Sequence, residues 1–170
     1  MVADPTCWVH RPHQRGAADT HLYRSTVVEP ISVGHAVAVP VEDNRGVEAL
    51  AQRVRVALES ADLSQFGELL DPHVRWGAPD DPAPSCQTRS DVLAWYGRGR
   101  ASGRRARVVD VQVHRDKILV HLRLISPSST SDATVESDRW QVLTCARGRV
   151  VDIRGFETSD EAFARITPTR

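Results

Sequence analysis

Two apolar segments meeting at Ala146-Arg147-Gly148-Arg149 constrain this chain's fold more than any other feature. Arg139-Trp140-Gln141-Val142-Leu143-Thr144-Cys145 precedes the turn, and Val150-Val151-Asp152-Ile153-Arg154-Gly155-Phe156-Glu157 follows it. Each is long enough for a strand, and the short connection makes them a β-hairpin. A helical tail, Ser159 to Ile166, comes after. A fold that ends this way needs further strands beside the hairpin, and the segment before it supplies them. Val109, Val111 and Val113 alternate with Asp110, Gln112 and His114, the period of a strand with one wet face. Three strands, 106–115, 118–126 and 134–146, are therefore expected ahead of the last arm. Asp116-Lys117 is read as the tight turn between the first two, and 127–133 as a Ser/Thr-rich loop.

Upstream the period changes to that of helices. Val47, Leu50, Ala51, Val54, Ala57, Leu58 and Ala61 fall on one face, with Glu48, Gln52, Arg53, Arg55 and Glu59 opposite. Asp62 caps a second helix whose stripe is Phe66, Leu69 and Leu70, and Asp71-Pro72 stops it. His73-Val74-Arg75-Trp76 reads as a short strand. Thr88 or Ser90 caps a third helix carrying Val92, Leu93, Trp95 and Tyr96, which Gly97, Gly99 and Gly103 are expected to dissolve. Helices first and antiparallel strands later indicate an α+β domain.

Residues 1–46 are different material. They hold Pro5, Pro12, Pro30 and Pro40, four of the seven histidines and no sustained period. The expectation is a mostly disordered extension over 1–46 and a domain over 47–170. Lys plus Arg and Asp plus Glu are 22 each, so the basic surplus of a nucleic-acid or anionic-membrane binder is missing. Lys117 is the only lysine, a bias of GC-rich coding. No stretch reaches the roughly 18 apolar residues of a membrane span, and no secretory h-region opens the chain. Cys7, Cys86 and Cys145 are odd in number and far apart, which suggests no disulfide framework and a reduced cytoplasmic setting.

The order helix, helix, strand, helix, strands, tail resembles the nuclear transport factor 2-like superfamily, and within it the SnoaL-like proteins. The residues carrying the resemblance are Asp62-Leu63 before Phe66 and Leu69-Leu70, Pro72-His73-Val74-Arg75-Trp76, Cys86-Gln87-Thr88-Arg89 leading to Val92-Leu93 and Tyr96, and the hairpin Gly148 to Phe156 before Glu161-Ala162. The resemblance implies a cone-shaped, curved, mainly antiparallel sheet with helices packed on its concave side. It implies a small-molecule pocket inside the cone and a homodimer through the convex face, with no cofactor. Members range from isomerases, hydrolases and cyclases to non-catalytic binding modules, so fold alone leaves function open.

Trp76, Tyr96 and Trp140 are the expected pocket walls, with Tyr96 offering a hydroxyl. The weaker catalytic candidates are Asp80 in the proline-rich loop, Tyr96, and His121, which shares a sheet face with Arg123, Asp152 and Arg154 by strand alternation. That face reads equally as an ordinary surface of ion pairs. Cys86 becomes a reactive thiol only if Arg89 or a helix N-terminus lowers its pKa. Cys7, His10 and His13 lack a fourth ligand and a framed turn, so no metal is expected. Arg98, Arg100, Arg104, Arg105 and Arg107 read as a solvated helix terminus. Three functions follow: binding of a small apolar ligand, cofactor-free catalysis on one, or a non-catalytic dimerisation or adaptor module.

Overall fold

The computed structural model describes residues 42–128 and 133–167, all within one compact unit, Val39–Arg170. The expected extension before Glu42, with Cys7, His10 and His13, lies outside the described residues. The elements run α1 (Glu42–Glu59), α2 (Leu63–Leu69), β1 (Leu70–Gly77), α3 (Arg89–Ala101), β2 (Arg105–His114), β3 (Lys117–Pro127), β4 (Thr134–Ala146), β5 (Arg149–Phe156) and α4 (Ser159–Ile166). The strands form one curved sheet in the order β1-β5-β4-β3-β2, antiparallel except for β1 beside β5. The architecture is α+β.

Local chemistry sets the element ends. Helix α1 begins at Glu42, five residues before the change of period at Val47. It ends on Ala61, whose φ of 53° is left-handed, with Asp62 N–H bonded to the Ala57 carbonyl at 3.0 Å. This is a Schellman-type stop with alanine where glycine is preferred. Asp62 caps α2 by accepting from the amides of Ser64 and Gln65. Thr88 and Asp91 form a reciprocal capping box on α3.

Two expectations are corrected. Gly97 and Gly99 do not dissolve α3, which runs on to Ala101. Each glycine costs a helix about 1 kcal/mol, and the capping box and the packing of Val92 and Tyr96 outweigh that until Gly103, at φ 82°, ends the segment. The turn between β2 and β3 is Arg115-Asp116 and not Asp116-Lys117: His114 pairs with Lys117, and Arg115 takes the left-handed φ of 57°. The β4–β5 hairpin is as expected, with Arg147 at φ 51° and Gly148 at φ 70° giving the doubly left-handed turn that suits twisted strands.

Helices α1 and α3 cover one face of the sheet, over Val74, Trp76, Ile118, Val120, Leu143 and Ile153, all buried. Helix α4 lies on the other face. Its Ala162 and Ile166 pack with Leu119, Val142 and Phe156. The sheet thus has a helix-lined concave side and a convex side partly covered by the tail.

Candidate functional site

Strand alternation decides which side chains can meet. On β4, Arg139 is the register partner of Leu122 and Gln141 of Val120, so both point to the concave side with those buried apolar residues. Trp140, between them, is the partner of His121 and points the opposite way. Its ring lies flat on the His121 imidazole, centroids 4.7 Å apart and planes 7° from parallel.

The concave side carries an aromatic cluster delivered by three elements. Trp76 of β1 is buried and stacks on Trp95 of α3 at 4.1 Å. Trp95 meets the next ring, Tyr96, edge-on at 5.2 Å, and Tyr96 meets Phe66 of α2 edge-on at 5.4 Å. Among these rings the Tyr96 hydroxyl donates to Oε1 of Gln141 at 3.1 Å. Gln141 is only 3% exposed, a polar side chain at a position otherwise filled by Val, Leu and Ile. Burial pushes the Tyr96 hydroxyl up to about 12, against the lowering effect of the Gln141 hydrogen bond, so it stays protonated at neutral pH. Cys86 is buried, held by backbone hydrogen bonds to Trp76 at 2.9 and 3.3 Å.

Trp95, Tyr96, Arg139 and Gly155 are all half-buried, and Gly155, the register partner of Gln141, adds no side chain beside it. Arg139 donates to the Asp138 carbonyl at 3.0 Å and lies 3.5 Å from the Glu157 carboxylate. Two clefts, between α1 and α2 and between α1 and β2, are open to solvent and bring no aromatic ring to a buried polar group.

Of the expected pocket walls, Trp76 and Tyr96 come together and Trp140 does not. The correction follows from parity: a residue next to Gln141 on an extended strand cannot share its face. The weaker candidates are dispersed. His121 is on the convex side, where its Nε2 lies 3.0 Å from Asp138 Oδ1 and Arg123 Nε lies 2.9 Å from the same oxygen. Hydrogen bonds from Arg123 and then His121 hold the Asp138 carboxyl below its ordinary range. Asp80 is exposed in the loop after β1. That loop is tied down by Arg154, which donates to the carbonyls of Ala78 at 3.0 Å and Asp81 at 2.9 Å while gripping Asp152 through two hydrogen bonds of 2.8 and 3.0 Å. Gln141, Arg139 and Gly155 escaped sequence reasoning. The available signal was a glutamine sharing parity with Leu143 and Cys145 in an apolar strand.

No group of three or more metal-ligating side chains is assembled among the described residues. None of the described helices is long and apolar enough to cross a membrane.

The SnoaL-like domain family matches residues 47–153, more than half of the chain. The chain belongs to the SnoaL-like domain family. Solved structures agree on the fold. A candidate SnoaL-like polyketide cyclase from Jannaschia sp. CCS1 is 17% identical with a TM-score of 0.55, over 78% of this chain and 99% of that one. A candidate ketosteroid isomerase from Kribbella flavida DSM 17836 is 18% identical with a TM-score of 0.55, over 69% and 81%. An NTF2-like protein of unknown function from Burkholderia pseudomallei K96243 is 17% identical with a TM-score of 0.54, over 72% and 98%. No functionally curated protein matches the chain.

Proposed function

We propose that this SnoaL-like domain binds a small apolar molecule bearing a polar oxygen, against Trp95 and Tyr96 on the concave side of the sheet. The observation that carries the reading is the hydroxyl–amide pair of Tyr96 and Gln141 at 3.1 Å, with Phe66 and Trp95 packed edge-on against the Tyr96 ring. Apolar walls with a few placed polar groups are the usual anatomy of a small-molecule site. The names of the cyclase and isomerase neighbours, both of which refer to chemistry on small molecules, support it.

The test is calorimetric titration of the full-length protein with 2-naphthol, a bicyclic probe with one oxygen. Tyr96→Phe and Gln141→Leu are expected to weaken binding at least five-fold, and Trp140→Phe to leave it unchanged. Binding that survives both concave variants and disappears with Trp140→Phe overturns the placement.

Catalysis on such a molecule is the second reading. The same hydroxyl favours it, because a phenol held neutral can donate to an oxygen on which negative charge develops. We further propose a cytoplasmic homodimer, paired through the convex face bearing Gln112, His121, Arg123 and Asp152, with no nucleic-acid partner. Balanced charge supports the last point, and the described cysteines, Cys86 and Cys145, support the compartment because neither is in a disulfide. Sedimentation at twice the 18.8 kDa chain mass is the expected result, and a monomer at micromolar concentration refutes the pairing.

A further inference from the structure

We infer that the open sheet edge at β2 docks an extended peptide segment of another protein, apolar at alternate positions and acidic at one end. The sheet ends at β2, whose 10 residues pair with β3 on one side only. Such an edge is a template for an added strand. His114 and Lys117 flank the two-residue turn and exchange backbone hydrogen bonds, so by alternation Asp110 and Gln112 also face β3. Val111 and Val113 therefore turn their N–H and C=O groups to the open side. The Val111 N–H has no strand to bond among the described residues, and donates instead to Oδ1 of Asp110 at 2.8 Å.

The side chains along this edge define what the added strand carries. Val111 and Val113 line one wall of the cleft against α1, about 440 Å³ and open to solvent, with Arg45, Ala49 and Gln52 on the other. An added strand lays every second side chain over that cleft, and apolar ones fit its valines. A register shift between Val108 and Asp110 separates this half of the edge from an arginine half. Arg105 and Arg107 are exposed there on the convex side, while the nearby acids Glu136 and Asp138 are paired with Arg123. Two acidic side chains on the added strand would lie directly across from these arginines, a pairing that stabilises neighbouring strands. β2 itself has a single acid, Asp110, already held by the Val111 amide and by Gln112 Nε2 at 2.7 Å, so β2 of a second copy cannot supply that pair.

The probe is fluorescein-labelled Ser-Val-Thr-Val-Thr-Val-Glu-Thr-Glu, titrated with the full-length protein at pH 7 and followed by fluorescence polarisation. A control peptide has lysine in place of both glutamates. The wild type is expected to bind the acidic peptide at least ten-fold more tightly than the control. Val113→Pro removes an outward N–H and leaves the β2–β3 ladder whole, and it should weaken binding at least ten-fold. Arg105→Glu/Arg107→Glu should reverse the preference between the two peptides, a gain that an unfolded variant could not show. If circular dichroism finds Val113→Pro unfolded, the charge reversal decides alone. Failure of the wild type to bind the acidic peptide, or binding that both variants leave unchanged, overturns the proposal. A protein dimer that Val113→Pro dissolves in sedimentation assigns the edge to a second copy and overturns it equally.

Discussion

The Tyr96 hydroxyl donates to the Gln141 side chain at 3.1 Å, joining α3 to the middle of β4 across 45 residues of sequence. Replacing Tyr96 by Phe keeps the ring packing against Phe66 and strands the Gln141 oxygen. A buried acceptor left without its donor costs about 1–3 kcal/mol. The double variant Tyr96→Phe/Gln141→Leu should recover part of that loss, because both polar groups are then gone. Urea unfolding of the three variants measures it, and strictly additive losses would contradict the coupling.

Alkali should weaken the fold through the same hydroxyl. Tyr96 titrates at about 12 in the folded protein, above its ordinary value of 10. The unfolded chain therefore releases this proton first. The stabilisation is complete below pH 10 and is lost as pH rises through 12, on the order of 2–3 kcal/mol in all. Wild type should lose stability between pH 10 and 12 more steeply than Tyr96→Phe. Parallel curves would rule this out.

Arg154→Met tests the clamp on the loop after β1. Arg154 is 7% exposed and holds Asp152 and the carbonyls of Ala78 and Asp81. Removing one partner of a buried ion pair costs about 3–5 kcal/mol. Arg75, 3.3 Å from Asp152, softens this toward the lower figure. Thermal melts should fall accordingly, with faster amide exchange in residues 78–84. A loss under about 1 kcal/mol would show that the clamp is dispensable.

Ala61→Gly should stabilise the domain. Alanine at φ 53° carries the left-handed penalty of about 1 kcal/mol that glycine avoids. Glycine's greater unfolded freedom offsets part of the gain, leaving roughly 0.5 kcal/mol. A lower melting temperature would refute the assignment of this stop.

Periodicity made most of the fold legible. Most of the expected face of α1 is buried, with Val47, Leu50, Ala51, Val54 and Ala57 inside and Ala61 exposed beyond the helix end, and the caps at Asp62 and Thr88 are in place. Glycine counting misjudged α3, because tertiary packing overrides propensity. The site was harder to read. In β4, Gln141, Val142 and Leu143 are all buried, since α4 covers the face that alternation would leave wet. With no wet face, parity disappears from the sequence, and Trp140 could not be assigned a side. Register supplied it. Gln141 was hard to read for the same reason: its shared parity with Leu143 and Cys145 is a faint signal when the residues between them are apolar too.

A sheet is a single backbone thick, and that gives Trp140 and Gln141 a shared fate. They are consecutive on β4, one facing the proposed ligand side and the other stacked on His121 behind it. Any molecule that nudges the Gln141 backbone must disturb the indole at the rear. Under the proposed function, Trp140 is thus a built-in optical gauge, read from the face opposite the ligand. Its emission, obtained as the difference between the wild type and Trp140→Phe, would register occupancy without a label and without competing for space.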